Sequence, residues 1–194
     1  LLTNLRTSRG SVLNNRGTGS GGEESESELL DSDVAYFSQT GTPNNGGVGL
    51  SLANCTFENP CGPTDFSQTG VNTLNSLLPN TLMFFNGGTY NALDATGSNP
   101  ITLNSGQGVN ARTADYSQAA TGSGRSVFNG AFILNTNNTL ANIILLPTAA
   151  TASGTGVTDN NGTNDFIRGS QIGNINNLYN VGVVISTNQL TITN

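Results

Sequence analysis

The chain has 194 residues, a net charge of −6 and an isoelectric point near 4.2. Its six basic residues are all Arg, with no Lys and no His. There is no basic patch to neutralise phosphates, which argues against a nucleic-acid partner, and no imidazole to ligate zinc or serve as a base. No apolar run approaches the length of about 18 residues that a membrane-spanning helix needs.

Hydrophobic residues make up 35% of the chain and charged residues 9%. Asn, Thr, Ser and Gly fill the difference, with 29 Asn and 25 Gly. Long helices want Ala, Leu, Glu, Lys and Gln. Asn and Gly tolerate positive φ, so the profile favours short strands joined by tight turns.

Residues 1–33 stand apart: Arg6, Arg9 and Arg16, a GTGSGG stretch, then the acidic run EESESELLDSD. This reads as a polar linker or an assembly arm, the first segment of the chain. VAYFS (34–38) reads as a strand, followed by a Gly/Asn-rich loop and the segment CTFENPCGP (55–63). TDFSQTGVNTLNSLL (64–78) predicts a short helix, with Thr64 or Asp65 as N-cap and Phe66, Leu74, Leu77 and Leu78 as its apolar positions. TLMFF (81–85) predicts a buried strand ended by NGG.

Beyond residue 100 only strands and turns are legible: ITLNSGQGV, SVFNGAFIL, NTLANIILL, NDFIRGSQI, VGVVIS and QLTIT. Leu140, Phe166 and Leu190 begin similar stretches at a nearly constant spacing, and GVTDN (from 156) and GVVIS (from 182) repeat that spacing. A period in the twenties with three short strands per period predicts a parallel β-solenoid, with an antiparallel sandwich as the alternative. The expected organisation is 34–80 as an N-terminal cap and 81–194 as β-helix rungs. QLTITN stops within a strand pattern, so further rungs or a stacked copy are expected beyond it.

The order of motifs resembles the entry module of right-handed parallel β-helix proteins of the pectin-lyase-like superfamily. VAYFSQTG is similar to its opening strand. Phe57 and Pro60 match an aromatic-x-x-Pro stretch, Pro79 to Phe84 a first long strand, and Gly88, Thr89 and Tyr90 a turn. Ser105, Gly106 and Val109 match the next rung, and Asn138, Leu140, Asn142 and Ile143 a later one. The superfamily holds polysaccharide lyases and hydrolases, phage tailspikes and passenger domains of bacterial surface proteins. The chain looks most like the passenger domains of autotransporter type, which implies an exported protein at the bacterial cell surface or beyond it. Residues 1–33 would then be a tether to an anchor.

Candidate chemistry is sparse. The acids of residues 34–194 are Glu58, Asp65, Asp94, Asp115, Asp159 and Asp165, with no adjacent pair. Acid/base catalysis needs two carboxyls at a set separation, so no catalytic residues are assigned. Arg168 could be a lone base but reads as an outward strand residue. DNNGTND (159–165) partly resembles a calcium loop through Asp159, Asn161, Gly162 and Asp165. It lacks the later bidentate acid and reads as an Asn/Gly turn, so neither metal nor cofactor is assigned. Three sequons, at Asn54, Asn137 and Asn161, follow from the composition. Tyr90, Tyr116, Tyr179 and Phe128 are aromatics that could stack on sugars if exposed.

Cys55 and Cys61 are the two cysteines. Metal binding would need further Cys or His, and a redox pair usually reads C-x-x-C. An even count in a chain of exported character predicts a disulfide that pins the loop over the first rung. The functional expectation is a non-catalytic segment for adhesion or spacing. Its partners would be host-surface glycans or proteins, or other copies through the open edge and residues 1–33. A polysaccharide-degrading enzyme and a self-assembling filament subunit are the alternatives.

Overall fold

The computed structural model describes residues 5–8, 11–13, 34–41, 54–66, 79–93, 97–151, 153–160, 162–174, 176, 178–185 and 190–193. Most of 1–33, the predicted helix beyond Phe66 (with Leu74, Leu77 and Leu78), Asp94 and Asn161 lie outside the described residues. Thr64–Phe66, where that helix was expected to start, form a turn. The Asp65 carboxylate accepts from the Gly62 N–H at 2.8 Å.

The fold is all-β. β1 (Leu5–Ser8) and β2 (Ser11–Leu13) form an antiparallel pair. β3 (Val34–Ser38) begins the parallel sheets. Four tiers follow: β4 (Leu82–Asn86), β5 (Thr89–Ala92) and β6 (Ile101–Thr102); β7 (Gly108–Arg112), β8 (Val127–Gly130) and β9 (Phe132–Leu134); β10 (Thr139–Ala141), β11 (Ile144–Leu146) and β12 (Thr155–Asp159); β13 (Asp165–Arg168), β14 (Gln171–Ile172) and β15 (Val181–Ile185). β16 (Leu190–Thr193) is the last strand.

From β4 onward, every strand with a successor pairs in parallel with the strand three places on. The first sheet has the order β16-β13-β10-β7-β4-β3, the second β14-β11-β8-β5 and the third β15-β12-β9-β6. The period follows from the register. Leu82, Gly108, Thr139, Phe166 and Thr191 are successive partners, and the step from Gly108 to Thr139 is the longest among them.

The spacing read from sequence was right at Val157 and Val183, which are partners in adjacent tiers. It slipped by one at Phe166, which pairs with Thr139 rather than Leu140. A one-residue slip moves a strand side chain to the other face, and Phe166 is accordingly exposed while Ile167 is buried. Thr89 and Tyr90, matched to a turn, belong to a strand, Thr89–Ala92, whose pattern alternates exposed and buried.

Buried side chains, with partly buried Ile172 and Val183 at one end, stack tier on tier. Ala35, Met83, Val109, Leu140 and Ile167 form one column on the first sheet. Tyr90, Phe128, Leu145 and Ile172 form one on the second, and Ile101, Phe132, Val157 and Val183 one on the third. Aromatics concentrate at the β3 end, where Phe37 and Phe85 stack at 4.6 Å. Phe66 is buried against Phe37 and Phe85 of the first sheet, Phe128 of the second and Phe132 of the third. At the opposite end Phe166, Leu178, Val181, Ile185 and Ile192 are exposed.

The Asn content is explained at the corners. Asn80, Asn137 and Asn164 hold φ of 66°, 57° and 59° just before β4, β10 and β13, and Gly106 takes the same place before β7. The left-handed region costs an ordinary residue about 1–2 kcal/mol and an Asn or Gly less, which selects these types.

Candidate functional site

Ser38, Asn86 and Arg112 are in register at the ends of β3, β4 and β7. The chain leaves the first sheet here by a tight corner: two residues separate β4 from β5, β10 from β11, and β13 from β14. Between β7 and β8 it takes the whole run 113–126. This insertion stands beside the corner column and encloses an open cleft of about 680 Å³.

The insertion is ordered from within. The Asp115 carboxylate accepts from the Thr113 and Ser117 hydroxyls at 2.7 and 2.8 Å. Thr113 and Gln118 close the base through a 2.9 Å backbone bond, and Ala120 N–H donates to Ala111 at 3.0 Å. Tyr116, at φ 57°, sends its side chain back under the loop. Its ring packs edge-on against Tyr36 at 5.0 Å, and its hydroxyl donates to the Phe37 carbonyl at 2.8 Å.

Arg112 is the single ionisable side chain among the residues lining the cleft. Its guanidinium lies 4.6 Å over the Phe84 ring, and its Nε donates to the Tyr116 carbonyl at 3.2 Å. Gln39 Nε2 donates to the Thr89 carbonyl at 2.7 Å. The remaining lining is hydroxyl, amide, Ala and Gly. Such a surface offers hydrogen-bond donors and a fixed positive charge, already positioned before any ligand arrives.

The other sequence-predicted residues lie elsewhere. Cys55 and Cys61 are joined by a disulfide with Cα atoms 4.8 Å apart, both buried. Their segment runs along the outer edge of β3: Tyr36 N–H donates to Cys55, Cys61 N–H to Tyr36, and Ser38 N–H to Cys61, each at 2.9 Å. Arg168 is exposed at the end of β13. Asp159 and Asp165 are fully buried at the joint between β12 and β13, where the Gly162 N–H donates to Asp159 at 2.9 Å. Among the described residues no group of three or more acidic or Cys side chains could hold a metal ion. Tyr90, Tyr116, Tyr179 and Phe128 are all buried, so none offers a stacking face.

The cleft was not anticipated from sequence. Its signal was the step from Gly108 to Thr139, longer than those from Leu82 to Gly108, Thr139 to Phe166 and Phe166 to Thr191. The surplus falls in the polar run RTADYSQAATGSGRS (112–126). Comparison with family models, with curated proteins and with solved structures returned no match.

Proposed function

We propose that the chain is a right-handed parallel β-helix of the pectin-lyase-like kind, a non-catalytic segment of an exported bacterial surface protein that binds a hydroxyl-rich ligand in the 113–126 cleft. The β-helix reading is supported by pairing of every third strand with the inward columns stacked in register. Export is supported by the disulfide, a bond that persists in oxidising compartments.

The observation that carries the binding reading is the cleft's make-up: a preformed wall, amide and hydroxyl donors and Arg112. Its dimensions match the range of small-molecule sites, and its donors suit a surface glycan. Among the described residues no carboxyl lines the cleft. Asp65, Asp159 and Asp165 are buried, and Asp115 is engaged inside the loop.

The test is a glycan array read with wild type and with Thr121→Trp, which fills the cleft, followed by incubation of each bound polymer with and without calcium. Retention by wild type, loss in the variant and intact polymer are expected. Release of unsaturated or shortened product would favour the enzyme reading.

A second reading, self-association, is favoured by exposed Val181, Ile185 and Ile192 on the last strands. The outer edge of β3 is covered by the cysteine segment, so head-to-tail stacking is blocked and association would join two like edges. Sedimentation velocity of wild type and Ile185→Lys separates the readings: a dimer lost in the variant supports association, and a monomer in both removes it.

A further inference from the structure

A ladder of polar side chains runs through the corner that leads into the first sheet. Thr81, Gln107, Asn138 and Asp165 occupy equivalent places in successive tiers, each one residue before the pairing set by Leu82, Gly108, Thr139 and Phe166. All four are buried. Gln107 Oε1 accepts from the Asn104 N–H at 2.9 Å, and Asn138 Oδ1 accepts from the Asn135 N–H at 2.6 Å. The Asn138 amide then donates from Nδ2 to the Asn104 and Gln107 carbonyls, at 2.7 and 3.0 Å. The side chain thus binds its own tier with its oxygen and the preceding tier with its N–H.

Asp165 breaks this chemistry. Its Oδ1 accepts from the Asn138 N–H at 2.7 Å, but its Oδ2 is buried with no hydrogen-bond partner. Oδ2 stands where the previous tier has a donor. A Cβ placed on Gly162 would overlap both Asp165 Oδ2 and the Asn135 carbonyl oxygen, so these two oxygens lie within reach of one another. Asn135 corresponds, one tier on, to Asn104, the acceptor used by Asn138. Two acceptor oxygens facing each other in the interior call for a proton between them.

We propose that Asp165 is a proton-operated joint. Protonated, its Oδ2–H donates to the Asn135 carbonyl and completes the ladder; ionised, it leaves a buried charge beside Asp159 and loosens the connection from β12 to β13.

Among the described residues Asp165 has no counter-charge beside it. Flanking strands β10 and β16 carry no ionisable side chain, and on β13 itself Arg168 is exposed at the far end. β12 contributes Asp159, a like charge. Burial, opposed by the Asn138 N–H and reinforced by Asp159, pushes the Asp165 carboxyl up to about 6. A cation is a poorer fit than a proton, because Gly162 packs against both oxygens and the two carboxyls are fully buried.

The linkage has a definite sign. An acid whose folded-state value is raised favours folding fully below its unfolded value, and that contribution is lost as pH rises through about 6. The chain has no His, so no side chain with an ordinary pKa titrates between pH 5.5 and 7.5, and a displaced carboxyl stands out there.

The experiment measures urea unfolding of wild type and Asp165→Asn at pH 5, 6 and 7.5, with hydrogen exchange across 159–168. In wild type the folding constant should fall about tenfold between pH 5 and 7.5. Protection factors in 159–168, corrected for the intrinsic pH dependence of exchange, should fall in parallel. Asp165→Asn supplies the missing donor permanently. It should be more stable than wild type at pH 7.5 and nearly flat with pH. A variant less stable than wild type at pH 7.5, or one retaining the wild-type slope, would overturn the proposal. So would calcium stabilisation of wild type at pH 7.5 that the variant lacks.

Discussion

The Tyr116 hydroxyl donates to the Phe37 carbonyl at 2.8 Å, joining residues 79 positions apart. The bond ties the cleft wall to the first strand of the parallel sheets. Around it Tyr36, Phe84 and Phe57 meet the Tyr116 ring or one another edge-on at 5.0 to 6.0 Å. The cysteine segment and the turn after it therefore reach both sides of the first sheet, Phe57 outside it and Phe66 within. Tyr116→Phe removes the hydroxyl and leaves the rings. It should cost about 1 kcal/mol in chemical denaturation and speed proteolytic cleavage within 113–126. Unchanged proteolysis would mean that the wall stands without the bond.

The disulfide closes a short loop over the edge of β3. Cys55→Ser with Cys61→Ser should lower stability by about 2 kcal/mol through the freedom returned to the unfolded chain. Reductant should produce the same loss in wild type and none in the double variant. Equal midpoints with and without reductant would show the bond to be idle.

The left-handed corners make a paired prediction. Asn137→Ala forces an alanine to φ 57° and removes the Oδ1 that accepts from Asn164 Nδ2 at 3.3 Å. A loss of about 1 kcal/mol is expected by thermal unfolding. Asn137→Gly keeps the backbone and should lose less. Equal losses in the two variants would assign the role of Asn137 to its side chain alone.

Tyr90, Tyr116 and Tyr179 are buried, and desolvation raises all three hydroxyls above the ordinary tyrosine range. Raised values in the folded state give stability that is complete below the unfolded value near 10 and is lost at higher pH. Ultraviolet titration should show these phenols ionising together with unfolding, detected by circular dichroism. Ionisation of all tyrosines before any loss of structure would contradict the burial.

The strands and their parallel repeat were legible in the sequence, and the exact register was legible only in part. β3 was found because VAYFS is mostly apolar, with a β-branched residue and two aromatics, and GVTDN and GVVIS carried a correct spacing. The slip at Phe166 arose because a parallel partner is fixed by corner lengths, and an exposed Phe imitates the start of a buried run. The cleft was hidden because its lining is mostly small residues, so only an irregular period marks it. The acid at 165 looked like a turn residue or a calcium oxygen. Its burial depends on Gln107 and Asn138 in the tiers below, which stand far earlier in the chain.

The most direct test of the account is the pairing at Leu140, which sits between Val109 and Ile167 in register. Nuclear Overhauser contacts should link the backbone of residue 140 to residues around both 109 and 167 in one sample, with the one-way pattern of parallel strands. The account predicts both sets together, repeated at Val157 with Phe132 and Val183. Contacts joining sequence neighbours such as β8 to β9 in antiparallel hairpins would contradict it.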